Sequence, residues 1–223
     1  MSKPKLVQRA CGGTGLSRRR GYVAPPDAMV SYDLALTNGP IISVIETHQI
    51  ELTTCVHESA HAVFAHAFSI RLASASPAPP ARVIYATPCT SSSVERIAIR
   101  WAGPAAEAAA LNRRITLSLL DEADFLSRVR AFEFGGCDEC QMALTAWTAN
   151  GLDAGIDAAR AVFREGQLLA LKLLDRREVR TAINALADKL AEGETVNGTA
   201  CHDLIEKHLP FGSLRQLQES LND

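Results

Sequence analysis

The amino-acid sequence predicts a mainly α (α+β) domain with a small β-sheet and a C-terminal helical bundle. Apolar residues recur three and four positions apart along much of the chain, as they do on one face of a helix. The best short strand, Arg82–Ala86, is rich in β-branched and aromatic residues and has prolines on both sides. No internal repeat is found. These observations favour a helical fold that carries little sheet.

Size, charge and cysteine content restrict the class of protein. The 223 residues are 47% hydrophobic and 22% charged, which suits one moderately large domain or two small ones. The formal net charge of -2 does not point to nucleic acid. No apolar run approaches the length of a membrane span, and no secretory signal pattern is seen. Six dispersed cysteines then predict reduced thiols, so we expect a cytoplasmic protein.

The chain is predicted to consist of two parts. Residues 1–40 are rich in Gly, Pro and Arg and show no sustained period, so we expect a basic, flexible N-terminal segment. The folded domain is predicted over residues 41–223.

Each predicted helix is placed by its apolar spacing and by the residues that begin or end helices. Gly135 and Gly136 end the third helix, and Gly193 lies where a cap of the fifth belongs. Pro104 lies inside the second helix and predicts a kink or a restart. Ser74–Pro80 is predicted to be a loop. The helices are predicted over Thr47–Ile70, Val94–Leu111, Asp121–Phe134, Leu152–Leu174, Arg177–Ala191 and Thr199–Lys207.

A His-Glu-x-x-His motif, His57 to His61, lies in the first predicted helix. Residues four apart on a helix are offset by about 40°, one turn along, so both imidazoles can reach one metal ion. Glu58 points toward the adjacent rim, where its carboxylate can take a proton from water. The motif therefore predicts a hydrolytic site that depends on Zn²⁺ and uses Glu58 as the general base.

A catalytic zinc site needs a third protein ligand, and the residues leave its identity open. His66 lies five positions after His61, about 140° around the helix, and faces away. Four acidic residues of the second and third predicted helices remain candidates: Glu95, Glu107, Asp121 and Asp124. A lone Cys-x-x-Cys at Cys137 to Cys140 has no further ligands close in sequence and is interpreted as a pair of incidental thiols.

Three blocks of sequence resemble the FtsH-type zinc metallopeptidases. Val56–Val63 resembles the zinc helix of that family, which reads His-Glu-Ala-Gly-His-Ala. Trp101–Glu107 resembles its Leu-Ala-Gly-Arg-Ala-Ala-Glu segment, and Leu190–Gly198 resembles its Leu-Leu-Glu-x-Glu-Thr-Leu-x-Gly turn. The blocks occur in the order of the family and span about Thr47 to Leu209.

The resemblance implies a zincin-like fold over 41–223, a Zn²⁺ cofactor and a polypeptide substrate. It also implies that the third ligand is an Asp at the start of a helix downstream of the Ala-Gly segment. An ungapped count from Gly103 selects Asp121, whereas a three-residue insertion selects Asp124; Asp121 is preferred. The strand Arg82–Ala86 resembles the place where family members offer a sheet edge to extended substrate.

The chain also departs from the family. Ser59 and Ala60 replace the usual Ala-Gly, and neither a Walker loop nor a spanning helix is present. The resemblance therefore implies the peptidase part alone, without the ATPase domain. A non-catalytic zinc-binding module and a proteolytic subunit of a larger ATPase assembly are the alternatives. A homo-oligomer and a separate ATPase partner are both left open, while nucleic acid and membrane partners are not expected.

Overall fold

The computed structural model describes residues 52–78, 81–86, 91–111, 119–131, 135–151 and 153–214. The predicted N-terminal segment, its boundary at residue 40 and residues 47–51 of the first predicted helix lie outside this set. Within it the chain is mostly helical, with a small antiparallel sheet, as the sequence predicts. The elements are α1 (Leu52–Ala67), β1 (Leu72–Ser76), β2 (Arg82–Tyr85), α2 (Ser93–Ala110), α3 (Leu119–Arg130), α4 (Asp138–Ala149), α5 (Ile156–Leu174), α6 (Arg177–Leu190), β3 (Val196–Asn197) and α7 (Gly198–Glu206).

Helix α1 lies at the centre of the fold. Every residue from 57 to 67 is buried, and the helix packs against α2, α6, α7 and the sheet. The small residues Ala60, Ala62 and Ala65 allow these neighbours to approach closely. Polar side chains of α1 are consequently enclosed by protein, where polar groups persist only with partners. Burial of residues 57–67 is what turns the motif into a defined site.

Helix α2 is the main partner of α1 and begins at a capping box. The Ser92 side chain accepts a hydrogen bond from the Glu95 N–H at 3.2 Å, and the Glu95 carboxylate accepts one from the Ser92 N–H at 2.6 Å. Glu95, a candidate ligand from the sequence, thus acts at the start of the helix. The helix continues through Pro104, so the predicted restart is not found. Pro104 has no N–H for the carbonyl of Arg100 one turn earlier.

The sheet has the strand order β2-β1-β3 and is antiparallel throughout. Strand β1 contradicts the predicted loop at Ser74–Ser76, whereas residues 77 and 78 are outside the strand as predicted and residues 79–80 are outside the described ranges. Its sequence, Leu-Ala-Ser-Ala-Ser, has weak β-propensity, and pairing on both sides makes it a strand. Strand β2 confirms the strand predicted at Arg82–Ala86 and forms an edge of this sheet.

Helix α4 was not predicted from the sequence. Its buried stripe consists largely of alanine, cysteine and methionine, with Trp147 as the one large aromatic residue, so the apolar period is weak.

Of the cysteines in the described ranges, none forms a disulfide. No described helix is both long and apolar enough to span a bilayer.

A pair of histidines, His66 and His202, joins the end of α1 to α7. The Nε2–H of His66 donates to the Leu209 carbonyl at 3.0 Å, and Nε2 of His202 accepts from the Leu72 N–H at 3.0 Å. The remaining His202 Nδ1–H is then directed at Nδ1 of His66, 2.6 Å away. The network is complete only when both rings are neutral.

We therefore expect acid to weaken the fold through this pair. Burial is the largest effect that lowers the pKa of His66, and the neighbouring His202 adds to it. Burial and then Arg71 lower the pKa of His202, while Glu206 and Asp203 act on His202 in the opposite direction. The unfolded chain binds more protons below the ordinary value of 6.5, so the free energy of unfolding should fall as the pH falls from 6.5 toward 5. Urea unfolding in the presence of a chelator at several pH values measures this dependence.

The matched variants are His202→Gln and His208→Gln, the second at an exposed histidine of the same segment. His202→Gln should be less stable at pH 7.5 and should flatten the dependence below pH 6.5, whereas His208→Gln should keep it. Equal slopes in wild type and His202→Gln would exclude the pair as its source.

Candidate metal centre

The site is built first from two histidines that α1 presents one turn apart. His57 and His61 are both buried, and their rings meet edge to face with centroids 4.7 Å apart. Their Nε2 atoms face each other at 3.0 Å. The structure thus brings together the two residues that the spacing of the motif predicts.

The outer nitrogen of each ring is hydrogen-bonded to an acceptor on α2. Nδ1 of His57 lies 3.0 Å from the carboxylate of Glu107, and Nδ1 of His61 lies 2.7 Å from the carbonyl of Ile99. Carboxylate and carbonyl oxygens accept, so both protons are on Nδ1. If both rings are neutral, each directs the lone pair of its Nε2 toward the other, which is unfavourable unless a proton or a metal ion lies between them.

A carboxylate completes the group from a third helix. Asp138 is the first residue of α4, and its Oδ2 lies 3.1 Å from Nε2 of His57 and 3.4 Å from Nε2 of His61. Its Oδ1 accepts a hydrogen bond from Arg100 at 3.2 Å. Among the described residues, His57, His61 and Asp138 form the group of three whose atoms are close enough to share one ion.

The geometry of the three atoms fits a tetrahedral ion. Bonds of about 2.0–2.1 Å at tetrahedral angles place ligand atoms roughly 3.3 Å apart. The separations here are 3.0, 3.1 and 3.4 Å. The side chain of Asp138 remains 21% exposed, which leaves an approach for a further ligand. Two imidazoles and one carboxylate form a donor set suited to zinc and neighbouring divalent metals.

A proton and a metal ion compete for the same place. Burial alone would lower the pKa of His57, but hydrogen bonds to Asp138 and Glu107 raise it to about 9. Burial would raise the pKa of Asp138, but His61 and His57 hold it well below its usual range. The arrangement therefore favours a positive charge between the three groups, and metal binding must release a proton.

Gly103 permits α2 to approach the two rings. A methyl group at this position would lie 2.5 Å from Nε2 of His61 and 2.8 Å from Cδ2 of His57. Carbon atoms do not approach so closely, so any side chain would displace the rings that carry the ligand atoms. This contact gives a physical reason for glycine in the Trp101–Glu107 block.

Glu58 is buried next to His57 on α1, with 3% of its surface exposed. Its negative charge is close enough to contribute to the raised pKa of His57, after the effects of burial, Asp138 and Glu107. The carboxylate thus belongs to the environment of the site without being one of the three converging ligand atoms.

The other predicted ligands have different positions. Asp124 is exposed on α3 and does not belong to the converging group. Asp121 lies in the first turn of α3, and its side chain is outside the described residues. Glu107 is a partner of Nδ1 of His57, and His66 faces away from the site toward His202.

Asp138 joins the converging group in the structure, although the sequence analysis does not name it as a candidate. The resemblance implies an Asp at the start of a helix, and Asp138 occupies that position in α4. Helix α4 is not expected from the sequence, so this Asp is not among the sequence candidates, and the preference for Asp121 stays a prediction because its side chain lies outside the described residues.

Comparison with known proteins provides no independent assignment. A scan against models of protein families finds no match, and a search of curated proteins finds none either. The function must therefore be inferred from the residues and their geometry.

Replacement of each aspartate should identify the third ligand. Loss of a residue that only hydrogen-bonds to a metal ligand typically weakens metal binding about 10–100-fold. We expect Asp138→Ala to weaken Zn²⁺ binding by more than this, because a ligand atom itself is lost. Asp121→Ala and Asp124→Ala should bind as wild type does. The dissociation constant for Zn²⁺, measured by competition with a chromophoric chelator, provides the readout. Loss of binding in Asp121→Ala but not in Asp138→Ala would reverse the assignment.

Replacement of Gly103 should separate metal binding from folding. Gly103→Ala should lower the Zn²⁺ affinity at least about tenfold, since both rings must move, while the helix itself tolerates alanine. Gly166→Ala is the matched control, because its methyl group would lie 2.4 Å from the buried Ile97, away from the histidines. That variant should lose stability and keep its affinity for Zn²⁺. Unchanged binding in Gly103→Ala would contradict the close approach.

Proposed function

We propose that the chain is a zinc-dependent metallopeptidase in which His57, His61 and Asp138 hold the metal. The observation that carries the proposal is the convergence of Nε2 of His57, Nε2 of His61 and Oδ2 of Asp138 within 3.4 Å of one another. Three donor atoms that converge in this way can bind one divalent ion in place of the proton. The Glu58 carboxylate adjacent to it favours hydrolysis over a purely structural metal.

Each residue has a defined task in this proposal. A bound Zn²⁺ would polarise the carbonyl oxygen of the substrate and lower the pKa of water in the site. Glu58 accepts a proton from that water and returns it to the departing amine. Glu107 and the Ile99 carbonyl hold the imidazoles in the tautomer that leaves Nε2 available.

We further propose that the fold is zincin-like and related to the FtsH-type peptidases. The three similar blocks support this relation through their positions. Val56–Val63 lies in α1 and is buried from His57 onward, and Trp101–Glu107 supplies Gly103 and Glu107 beside the histidines. Leu190–Gly198 forms the turn that leads into β3 and pairs with β1.

A polypeptide is the substrate class that the site favours. Strand β2 contacts α1 and forms an edge of the sheet among the described residues. Ile84 in this strand is 41% exposed. An extended peptide can add to such an edge through its main chain, which suits unfolded or loosely folded substrates.

Glu58→Gln tests the enzymatic proposal. The wild-type chain, loaded with Zn²⁺, should hydrolyse a fluorescently labelled unfolded polypeptide, and a chelator should abolish the activity. Glu58→Gln should retain zinc and lose roughly 10²–10⁴-fold in rate, because the general base is missing. Glu165→Gln, at an exposed glutamate of α5, is the control and should remain fully active.

The alternatives give different results in the same assay. Hydrolysis at equal rates by wild type and Glu58→Gln would refute the role of Glu58. Zinc binding without hydrolysis by wild type would favour the non-catalytic module. Activity that appears only when a separate ATPase is added would favour the subunit of a larger assembly.

A further inference from the structure

We propose that Arg100 is a positioning residue of the metal centre, which holds Asp138 as a ligand through one oxygen and balances its charge. The inference depends on the proposed function, since it assumes that a divalent ion binds between His57, His61 and Asp138. It concerns a side chain that does not itself contact the ion.

The two oxygens of Asp138 have different partners. Oδ2 faces the histidine nitrogens at 3.1 and 3.4 Å, whereas Oδ1 accepts a hydrogen bond from Nη1 of Arg100 at 3.2 Å. Rotation of the carboxylate to present both oxygens to an ion would break the bond to Arg100. The guanidinium therefore selects coordination through Oδ2 alone.

Arg100 also joins two of the helices that build the site. It lies on α2 directly after Ile99, whose carbonyl orients His61, and three residues before Gly103. Asp138 belongs to α4 and is separated from Arg100 by 38 positions in the sequence. The ion pair fixes the first turn of α4 relative to the same helix that orients the histidines.

The charges of the site balance only when Arg100 is counted. Glu58, Glu107 and Asp138 contribute three formal negative charges. A divalent ion and the guanidinium contribute three positive charges, so the formal charges of these five groups sum to zero. Removal of Arg100 leaves a net negative charge in a largely buried place, and it also frees the orientation of the Asp138 carboxylate.

The exposure of Arg100 argues against a role in stability. Its side chain is 42% exposed, and ion pairs with such exposure contribute little to folding. A change at this position should therefore affect the metal centre more than the fold. A lysine at this position can supply the positive charge, but its ammonium group lacks the fixed planar geometry with which the guanidinium of arginine orients a carboxylate.

The experiment compares Arg100→Gln and Arg100→Lys with Arg96→Gln, all in the full chain. Arg96 lies one turn earlier on α2, is exposed and donates to Ser93, so its replacement removes the same charge away from Asp138. The dissociation constants for Zn²⁺ and Co²⁺ are measured, together with the visible absorption of bound Co²⁺, which reports its ligand geometry. Thermal unfolding of the metal-free proteins checks the fold.

Arg100→Gln should bind both metals about 10–100-fold more weakly and alter the Co²⁺ spectrum, while the midpoint of unfolding without metal stays close to wild type. Arg100→Lys should recover part of the affinity, and Arg96→Gln should match wild type in both readouts. In an Asp138→Ala background, Arg100→Gln should cause no further loss, because its partner is absent.

Two outcomes separate the inference from the proposed function. Wild-type affinity and spectrum in Arg100→Gln, with zinc bound by the wild-type chain, would overturn the role of Arg100 and leave the metal centre intact. Equal losses in Arg100→Gln and Arg96→Gln would also overturn it, since only general charge would then matter. Failure of the wild-type chain to bind either metal would overturn the proposed function and, with it, the role of Arg100.

Discussion

Two imidazole lone pairs that face each other at 3.0 Å are the constraint from which the rest of the site follows. The rings cannot turn away, because α2 holds both Nδ1 atoms through Glu107 and the Ile99 carbonyl. Nor can they move apart on the side of Gly103, where the backbone of α2 lies against them. The protein thus maintains an arrangement that is unfavourable without a positive charge between the rings. Asp138 supplies the negative partner that a cation in this place requires.

Three helices contribute different groups to the site and fix their relative positions. Helix α1 carries the two histidines and Glu58, and its burial fixes their direction. Helix α2 contributes orientation and space, and α4 contributes the carboxylate from its first turn, where the helix dipole favours a negative charge. At the far end of α1, the His66–His202 pair connects the helix to β1 and α7 through a separate network of hydrogen bonds. Helix α1 therefore contributes to two histidine pairs with opposite requirements: a positive charge between His57 and His61, and neutral rings at His66 and His202 of α7.

The parts that could be predicted from the sequence are those that local geometry determines. The spacing of His57 and His61 sufficed, because a helix places residues four apart on one face. Asp138 could not be found in this way, since it is 81 positions from His57 and depends on how α4 packs. Strand β1 was missed for a related reason: its sequence has little β-propensity, and pairing with β2 and β3 determines its conformation. Glu107 was recognised as a candidate ligand but bonds Nδ1 of His57, a distinction that depends on which ring nitrogen faces it.

X-ray absorption at the zinc edge of the purified, zinc-loaded chain tests the central claim most directly. The proposed site predicts one zinc ion per chain, bound by nitrogen and oxygen at about 2.0 Å, with the multiple scattering of two imidazoles. A chain that retains no zinc after removal of the excess would contradict the account. A shell dominated by sulfur, which would place the ion on cysteines, would contradict it equally.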